Sequence, residues 1–219
     1  MNGTTKQVRS KMRVAEHGEV FTHEREVNAM LDLVRHETER IESRFLEPAC
    51  GTGNFLVEVL RRKLAVVARR FGTAQLDYER NAVIAVGSLY GIDLLEDNVA
   101  ECRTRLFGLF NADYTRRYGD RSSDACRQSV KYILQHNIVH GDALTFERVD
   151  VPGKPIVFSE WTPVNHVMIK RRDYSFAMLH DTQFGGDAGL FSDLRDEVFV
   201  PDPLREYPLT HFLRLHEHD

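Results

Sequence analysis

Three features of the 219-residue chain predict an α/β fold built on a parallel, doubly wound sheet with helices on both faces. The apolar stretch Phe45-Leu46-Glu47 runs into a turn carrying two glycines, Gly51 and Gly53, and then into a long amphipathic segment. Two further apolar runs, Leu89 to Ile92 and Ile138 to Gly141, each lead into an aspartate, Asp93 and Asp142. Helical patterns separate the three. Strands that alternate with helices form parallel sheets, and such sheets hold ligands outside the carboxyl ends of their strands.

Composition narrows the class. A hydrophobic share of 42% and a charged share of 28% are those of a soluble globular chain, and the length suits one domain of ordinary size. No apolar run reaches the 18 residues of a membrane span, and the basic, polar start from Met1 to Arg13 has no apolar segment of a secretory signal. A cytoplasmic location is therefore expected. Cys50, Cys102 and Cys126 form no CxxC pair, so reduced thiols are expected and no metal site is. The net charge of −4 argues against a chain that coats nucleic acid unaided.

Taken in order, residues 1–15 read as a flexible tail. Thr22 is a candidate N-cap for a helix whose stripe is Val27, Met30, Leu31 and Val34; Arg25 three residues on gives it no capping box. After the glycine turn, Phe55 to Phe71 reads as a helix. Leu56, Val59, Leu60, Leu64, Val67 and Ala68 mark its buried face, and Arg61, Arg62, Lys63, Arg69 and Arg70 its wet one. Residues 72–81 read as a connection. The strand ending in Asp93 is followed by a helix with Val99, Cys102, Leu106 and Leu109 on one face. Residues 111–132 look irregular, with a short helix at their end. Ile156-Val157-Phe158 is the expected fourth strand, behind the proline-flanked loop Val151 to Pro155. Lys170-Arg171-Arg172-Asp173-Tyr174 reads as an exposed charged hairpin that a phosphate could touch, Gly185 to Gly189 as a flexible loop, and residues 201–219 as an extended C-terminal tail.

The glycine turn carries the chemistry. Glycine admits positive φ and lets backbone approach a ligand closely. The helix start behind it offers unpaired N–H groups and partial positive charge to a carboxylate or phosphate. An acid at the end of the second strand is placed to hold a ribose, although the usual interval is roughly 20 residues. Here Gly53 and Asp93 lie 40 apart, which weakens a dinucleotide reading.

Glu47-Pro48-Ala49-Cys50-Gly51-Thr52-Gly53-Asn54-Phe55 is more specific than a bare pair of glycines. It resembles the Asp/Glu-Pro-Ala-Cys-Gly-Ser/Thr-Gly signature of the S-adenosylmethionine (AdoMet)-dependent DNA methyltransferases that methylate adenine N6. Among these the chain looks most similar to the modification subunits of type I and type IIG restriction–modification systems. Gly18, Phe21 and Thr22 resemble part of their N-terminal cofactor motif, with His23 where proline is usual. Gly91-Ile92-Asp93 resembles the ribose-binding acid, and Gly141-Asp142-Ala143-Leu144 the motif whose acid faces the cofactor's adenine.

The resemblance implies a Rossmann-like class I methyltransferase sheet, shortened on its C-terminal side, with an AdoMet-binding domain over residues 16–200. It implies a cofactor site drawn from Phe21, Thr22, Glu47, Pro48, Ala49, Gly51, Gly53, Asn54, Phe55, Asp93, Leu94, Asp142 and Ala143. In that site the N–H groups near Gly51 and Gly53 meet the methionine carboxylate and Glu47 the ammonium. Asp93 accepts from the ribose and Asp142 from the adenine amine. DNA is the implied substrate, in company with a specificity or partner subunit. The family's catalytic Asn-Pro-Pro-Tyr occurs nowhere in the chain; Ser159-Glu160-Trp161-Thr162 stands after the fourth strand instead. Glu160 and Trp161 are the weak replacements, against the blander reading of a surface glutamate and a structural tryptophan. The two functions left standing are an adenine-N6 DNA methyltransferase and a catalytically inactive, AdoMet-holding relative serving a modification or phage-defence complex.

Overall fold

A computed structural model describes residues 22–184 and 202–217, residues 181–184 by their helical backbone only. The expected tail over residues 1–15, the motif residues Gly18 and Phe21, and the loop Gly185 to Gly189 lie outside the described residues. Three parallel strands form the frame: β1 (Phe45–Glu47), β2 (Leu89–Asp93) and β3 (Ile138–Asp142), adjacent in that order. Leu46 stands opposite Tyr90 and Asp93 opposite His140. A two-residue strand, β4 (Glu147–Arg148), pairs antiparallel with the end of β3.

Helix α1 (Glu24–Leu33) buries Val27 and Leu31, whereas Met30 and Val34 of the expected stripe are exposed. Its N-cap is His23, not Thr22. The His23 ring nitrogen Nδ1 accepts from Arg25 N–H at 3.3 Å, and the Glu26 carboxylate accepts from His23 N–H at 3.4 Å. Counted from His23, the residue three places on is an acid, so a reciprocal cap forms. A single turn, α2 (Arg35–Thr38), then leads toward β1.

Two helices, α3 (Asn54–Phe71) and α4 (Gln75–Gly87), join β1 to β2. The expected connection over residues 72–81 is thus mostly helix, because Tyr78, Ala82, Val83 and Val86 are buried within it. The second helix also accounts for the long interval between Gly53 and Asp93. Likewise α5 (Glu96–Tyr118) and α6 (Asp124–Asn137) join β2 to β3. The irregular segment expected after residue 111 is helical through Tyr118. Leu106, Phe110, Tyr114 and Tyr118 recur every four residues and are all buried, so one apolar stripe runs through a polar-looking stretch.

Lys63 reverses the expected polarity of α3, since it is fully buried. Its ammonium donates to Ile41 O at 3.1 Å, to Ser43 O and to Ser88 Oγ, and lies 5.1 Å from the centre of the Phe45 ring. It ties the approaches to β1 and β2 to the helix between them. Burial pushes its pKa down to about 7.

The expected fourth parallel strand belongs to a different sheet. β5 (Val157–Pro163) pairs antiparallel with β6 (Met168–Ser175), to which β7 (Arg205–Glu206) and β8 (Thr210–His211) add. The turn between β5 and β6 is short: Asn165 Oδ1 accepts from Val167 and Met168 N–H at 3.1 and 2.9 Å. Antiparallel pairing needs only such a turn, whereas a parallel return needs a crossover of a dozen or more residues. Residues 202–217 lie along this second sheet, with Phe212 and Leu215 buried in the main core.

The side chains of the first sheet divide accordingly. Leu89 and Ile138 join the large core made by α1 and α3 to α6. Tyr90, Ile92 and Val139 join a second cluster with Ile156, Phe158 and Phe176, the last opening α7 (Phe176–Phe184). The second sheet and α7, in place of a second layer of crossover helices, cover that side.

Candidate functional site

The glycine turn sits at the carboxyl ends of β1 and β2. Cys50 N–H donates to Ile92 O at 2.8 Å, which draws the turn against the neighbouring strand. Gly51 and Gly53 adopt φ of 52° and 85°, a left-handed region that costs an L side chain about 1–2 kcal/mol. Space matters as much. A Cβ at Gly53 would stand 2.6 Å from Cys102 Sγ on α5, and one at Gly91 3.0 Å from Cys50 Sγ. Both glycines let α5 and β2 press against the turn from behind.

Of the residues expected at the cofactor site, Gly51 is joined to Asp93 and Thr22 to Asn54 by direct hydrogen bonds, and Glu47 ends the strand beside β2. Gly51 N–H donates to Asp93 Oδ2 at 2.8 Å. Asp93 Oδ1 accepts from Leu95 N–H at 2.9 Å and from Asn98 Nδ2 at 3.1 Å, so the same carboxylate caps the start of α5. An ionised carboxylate offers about four acceptor positions. Among the described residues three donors meet it, one on Oδ2 and two on Oδ1. Glu47 closes β1, and burial raises its pKa against the opposing hydrogen bond from Ala49 N–H. Such a carboxylate gains from a cation placed beside it.

The N–H groups expected to receive a carboxylate are spent differently. Gly51 N–H goes to Asp93, and Gly53 N–H to Cys50 O at 2.8 Å. The donors that helix geometry leaves without intrahelical partners are those of the first turn of α3, from Asn54 onward. Asn54 also reaches backward: its Nδ2 donates to Thr22 O at 3.1 Å. Thr22 and Asn54 at the end of the glycine turn, 32 residues apart in the chain, thus meet through one amide side chain. Pro48 and Ala49 form the turn itself, and Phe55 packs on the core.

Asp142 ends β3, two residues beyond the partner of Asp93, and accepts from Leu144 N–H at 2.8 Å. Leu94 is 48% exposed, and Ala143 is half-buried against the second cluster, so the residues that follow β2 and β3 present apolar surface near their acids. Phe21 lies outside the described residues.

Glu160 and Trp161 are not at this edge. Glu160 is held by Arg44, which immediately precedes β1, and lies 3.7 Å from Arg172. Trp161 is 6% exposed, packs on the position that Gly87 leaves open before β2, and donates Nε1–H to Asn137 Oδ1 at 3.2 Å. Both contacts belong to the amino ends of the strands, opposite the glycine turn, because β5 runs back across the sheet. The Trp161 ring is thus enclosed in the main core.

The basic cluster of β6 is committed internally as well. Arg171 is buried, bonds both oxygens of Asp173 at 2.9 and 3.0 Å, and lies 4.0 Å from the Tyr207 ring centre. Arg172 and Lys170 pair with Glu206. A cavity of about 380 Å³ opens at the side of β3, lined by Arg103, His136, His140, Arg148 and Ser159 among others. No residue of the glycine turn lines it, so we place the candidate site at the turn, where the acids converge.

The family model described as MmeI, DNA-methyltransferase domain, matches residues 21–155, well over half of the chain. The chain belongs to this family. No curated protein and no solved structure matches it. The MmeI DNA-methyltransferase match covers β1 to β4 with the glycine turn, Asp93 and Asp142, and it stops at Pro155, just before the second sheet begins. Membership makes this a DNA-methyltransferase domain of restriction–modification type, with DNA as its substrate class. Among the described residues no group of histidine, cysteine and acidic side chains is arranged to hold a metal, and no helix is long and apolar enough to cross a membrane.

Proposed function

We propose that the chain binds AdoMet at the turn from Glu47 to Phe55 and serves adenine-N6 methylation of DNA. The observation that carries this reading is the junction of Gly51 N–H with the Asp93 carboxylate, beside Glu47, at the carboxyl ends of adjacent parallel strands. In the reading, Glu47 faces the methionine ammonium and the first-turn donors of α3 face its carboxylate. The carboxylate of Asp93 takes the ribose diol, a charge-assisted bond of about 1.5–3 kcal/mol. Asp142 faces the adenine amine, with Leu94 and Ala143 against the ring. Bound AdoMet supplies a sulfonium methyl to an attacking amine, and the protein supplies position.

A second reading has its own support. Asn-Pro-Pro-Tyr is absent from the sequence, and Glu160 and Trp161 lie at the far edge of the sheet. We therefore infer, as the alternative, a catalytically inactive relative that holds AdoMet and serves as an accessory part of a DNA modification or phage-defence complex.

Calorimetry with AdoMet tests the cofactor reading. Asp93→Ala should weaken binding at least about tenfold, the loss of one charged hydrogen bond. Absence of binding to the wild type would sink both readings. Transfer of tritiated methyl to unmethylated DNA, with and without the products of neighbouring genes, separates the two. Transfer by the isolated chain would exclude the need for a partner.

A further inference from the structure

Arg105 on α5 faces the glycine turn from behind and carries an uncommon set of bonds. Its Nη1 donates to Thr52 O at 2.7 Å, to Thr52 Oγ1 at 2.9 Å and to Asn54 Oδ1 at 2.8 Å. Every acceptor is neutral, and among the described residues Arg105 forms no ion pair. A half-buried guanidinium normally finds a carboxylate, because desolvating the charge is costly. Burial does lower its pKa, and the nearby Arg61 adds repulsion. Lys63 and Arg103 also spend their charge on neutral oxygens, but Arg105 does so at the loop that the proposed cofactor must meet.

The bonds also set directions. Asn54 Oδ1 turned toward a cation leaves Nδ2 to face the other way, and Nδ2 is the atom that donates to Thr22 O at 3.1 Å. One guanidinium thus fixes the middle of the turn, the orientation of the first side chain of α3, and through it the segment at Thr22. Thr52 is itself 6% exposed, so its carbonyl would be buried and unpaired without this donor.

We propose that Arg105 is a positioning residue of the AdoMet site, holding the turn from Gly51 to Asn54 and the segment at Thr22 in the geometry that receives the cofactor. The inference rests on the AdoMet reading for its purpose, but the brace itself is testable without cofactor. In hydrogen exchange of the apo protein, Arg105→Met should speed the bonded amides of Gly51 and Gly53 by about tenfold, as expected from losing one charged donor. The amides of β2 and β3 should keep their wild-type rates. Arg105→Lys, which keeps the charge and forms fewer bonds, should fall between. Calorimetry should show AdoMet affinity lowered about tenfold in Arg105→Met and in Asn54→Ala. The double variant should be less affected than the two losses combined, because both act through one contact chain.

Wild-type exchange at Gly51 and Gly53 in Arg105→Met would overturn the proposal, as would equal acceleration in every helix and strand, which marks general destabilisation. If Arg105→Met does not fold, the same comparison on Arg105→Lys decides. A wild type that binds no AdoMet refutes the cofactor reading while the exchange result still judges the brace.

Discussion

Replacing Lys63 with methionine should remove a pH dependence that few soluble domains show. In the unfolded chain the amine has its ordinary pKa of 10.5, and in the fold burial holds it at about 7. At pH values between these two the unfolded state binds a proton that the folded state does not, so stability rises with pH. Below pH 7 both states are protonated and the full penalty stands; above 10.5 it vanishes. At about 1.4 kcal/mol per pKa unit the whole effect is about 5 kcal/mol, and about 2 kcal/mol of it falls between pH 7.5 and 9.5. Raised thiol and phenol pKa values, such as those of Cys126 and Tyr90, work in the opposite direction above pH 9. The quantity to measure is therefore the difference between wild type and Lys63→Met in urea unfolding at each pH. The variant leaves Ser43 O without its donor, a cost of about 1–3 kcal/mol that does not change with pH. The wild type should gain about 2 kcal/mol relative to the variant across the window. A difference that stays flat from pH 7.5 to 9.5 would refute the reasoning. It would mean that Ile41 O, Ser43 O and Ser88 Oγ keep the amine charged in the fold.

Gly53→Ala should cost about 2–4 kcal/mol in denaturant unfolding, combining left-handed backbone strain with a clash against the buried Cys102 Sγ. Adding Cys102→Ala should recover only the part due to the clash. Trp161→Ala should destabilise by about 3–5 kcal/mol as a large core deletion. It should leave the AdoMet affinity of the folded fraction unchanged, because the ring lies at the opposite edge of the sheet from Gly51; a selective loss of cofactor binding would contradict that placement.

Local chemistry wrote much of this molecule plainly. Gly51 and Gly53 are glycines because the turn needs positive φ and because Cys102 lies where a side chain would go. The three strands with their terminal acids were legible because apolar runs ending in Leu-Glu, Ile-Asp or Gly-Asp are short and distinctive. The helices at residues 75–87 and 111–118 were not: in the first the buried apolar residues crowd its last turns and leave Tyr78 alone before them, and in the second the stripe is carried by Tyr114 and Tyr118. Lys63 was misplaced because composition cannot tell a snorkelling lysine from one whose amine meets three oxygens of distant segments. Arg105 gave no signal at all: its partners lie 51 and 53 residues away.

By itself, then, the sequence determined the α/β class, the parallel order of glycine turn and acids, and a similarity to DNA methyltransferases of restriction–modification type, the part that the family match bears out over residues 21–155. These follow from periodicity and from turn chemistry, which act between neighbours in the chain. Only the tertiary structure decided that β5 folds back as a hairpin, that Glu160 and Trp161 end at the wrong edge, and that Asp93 takes the Gly51 N–H. Those outcomes depend on which surfaces are left to be buried once the helices have packed. That balance is a property of the whole core and is written at no single position.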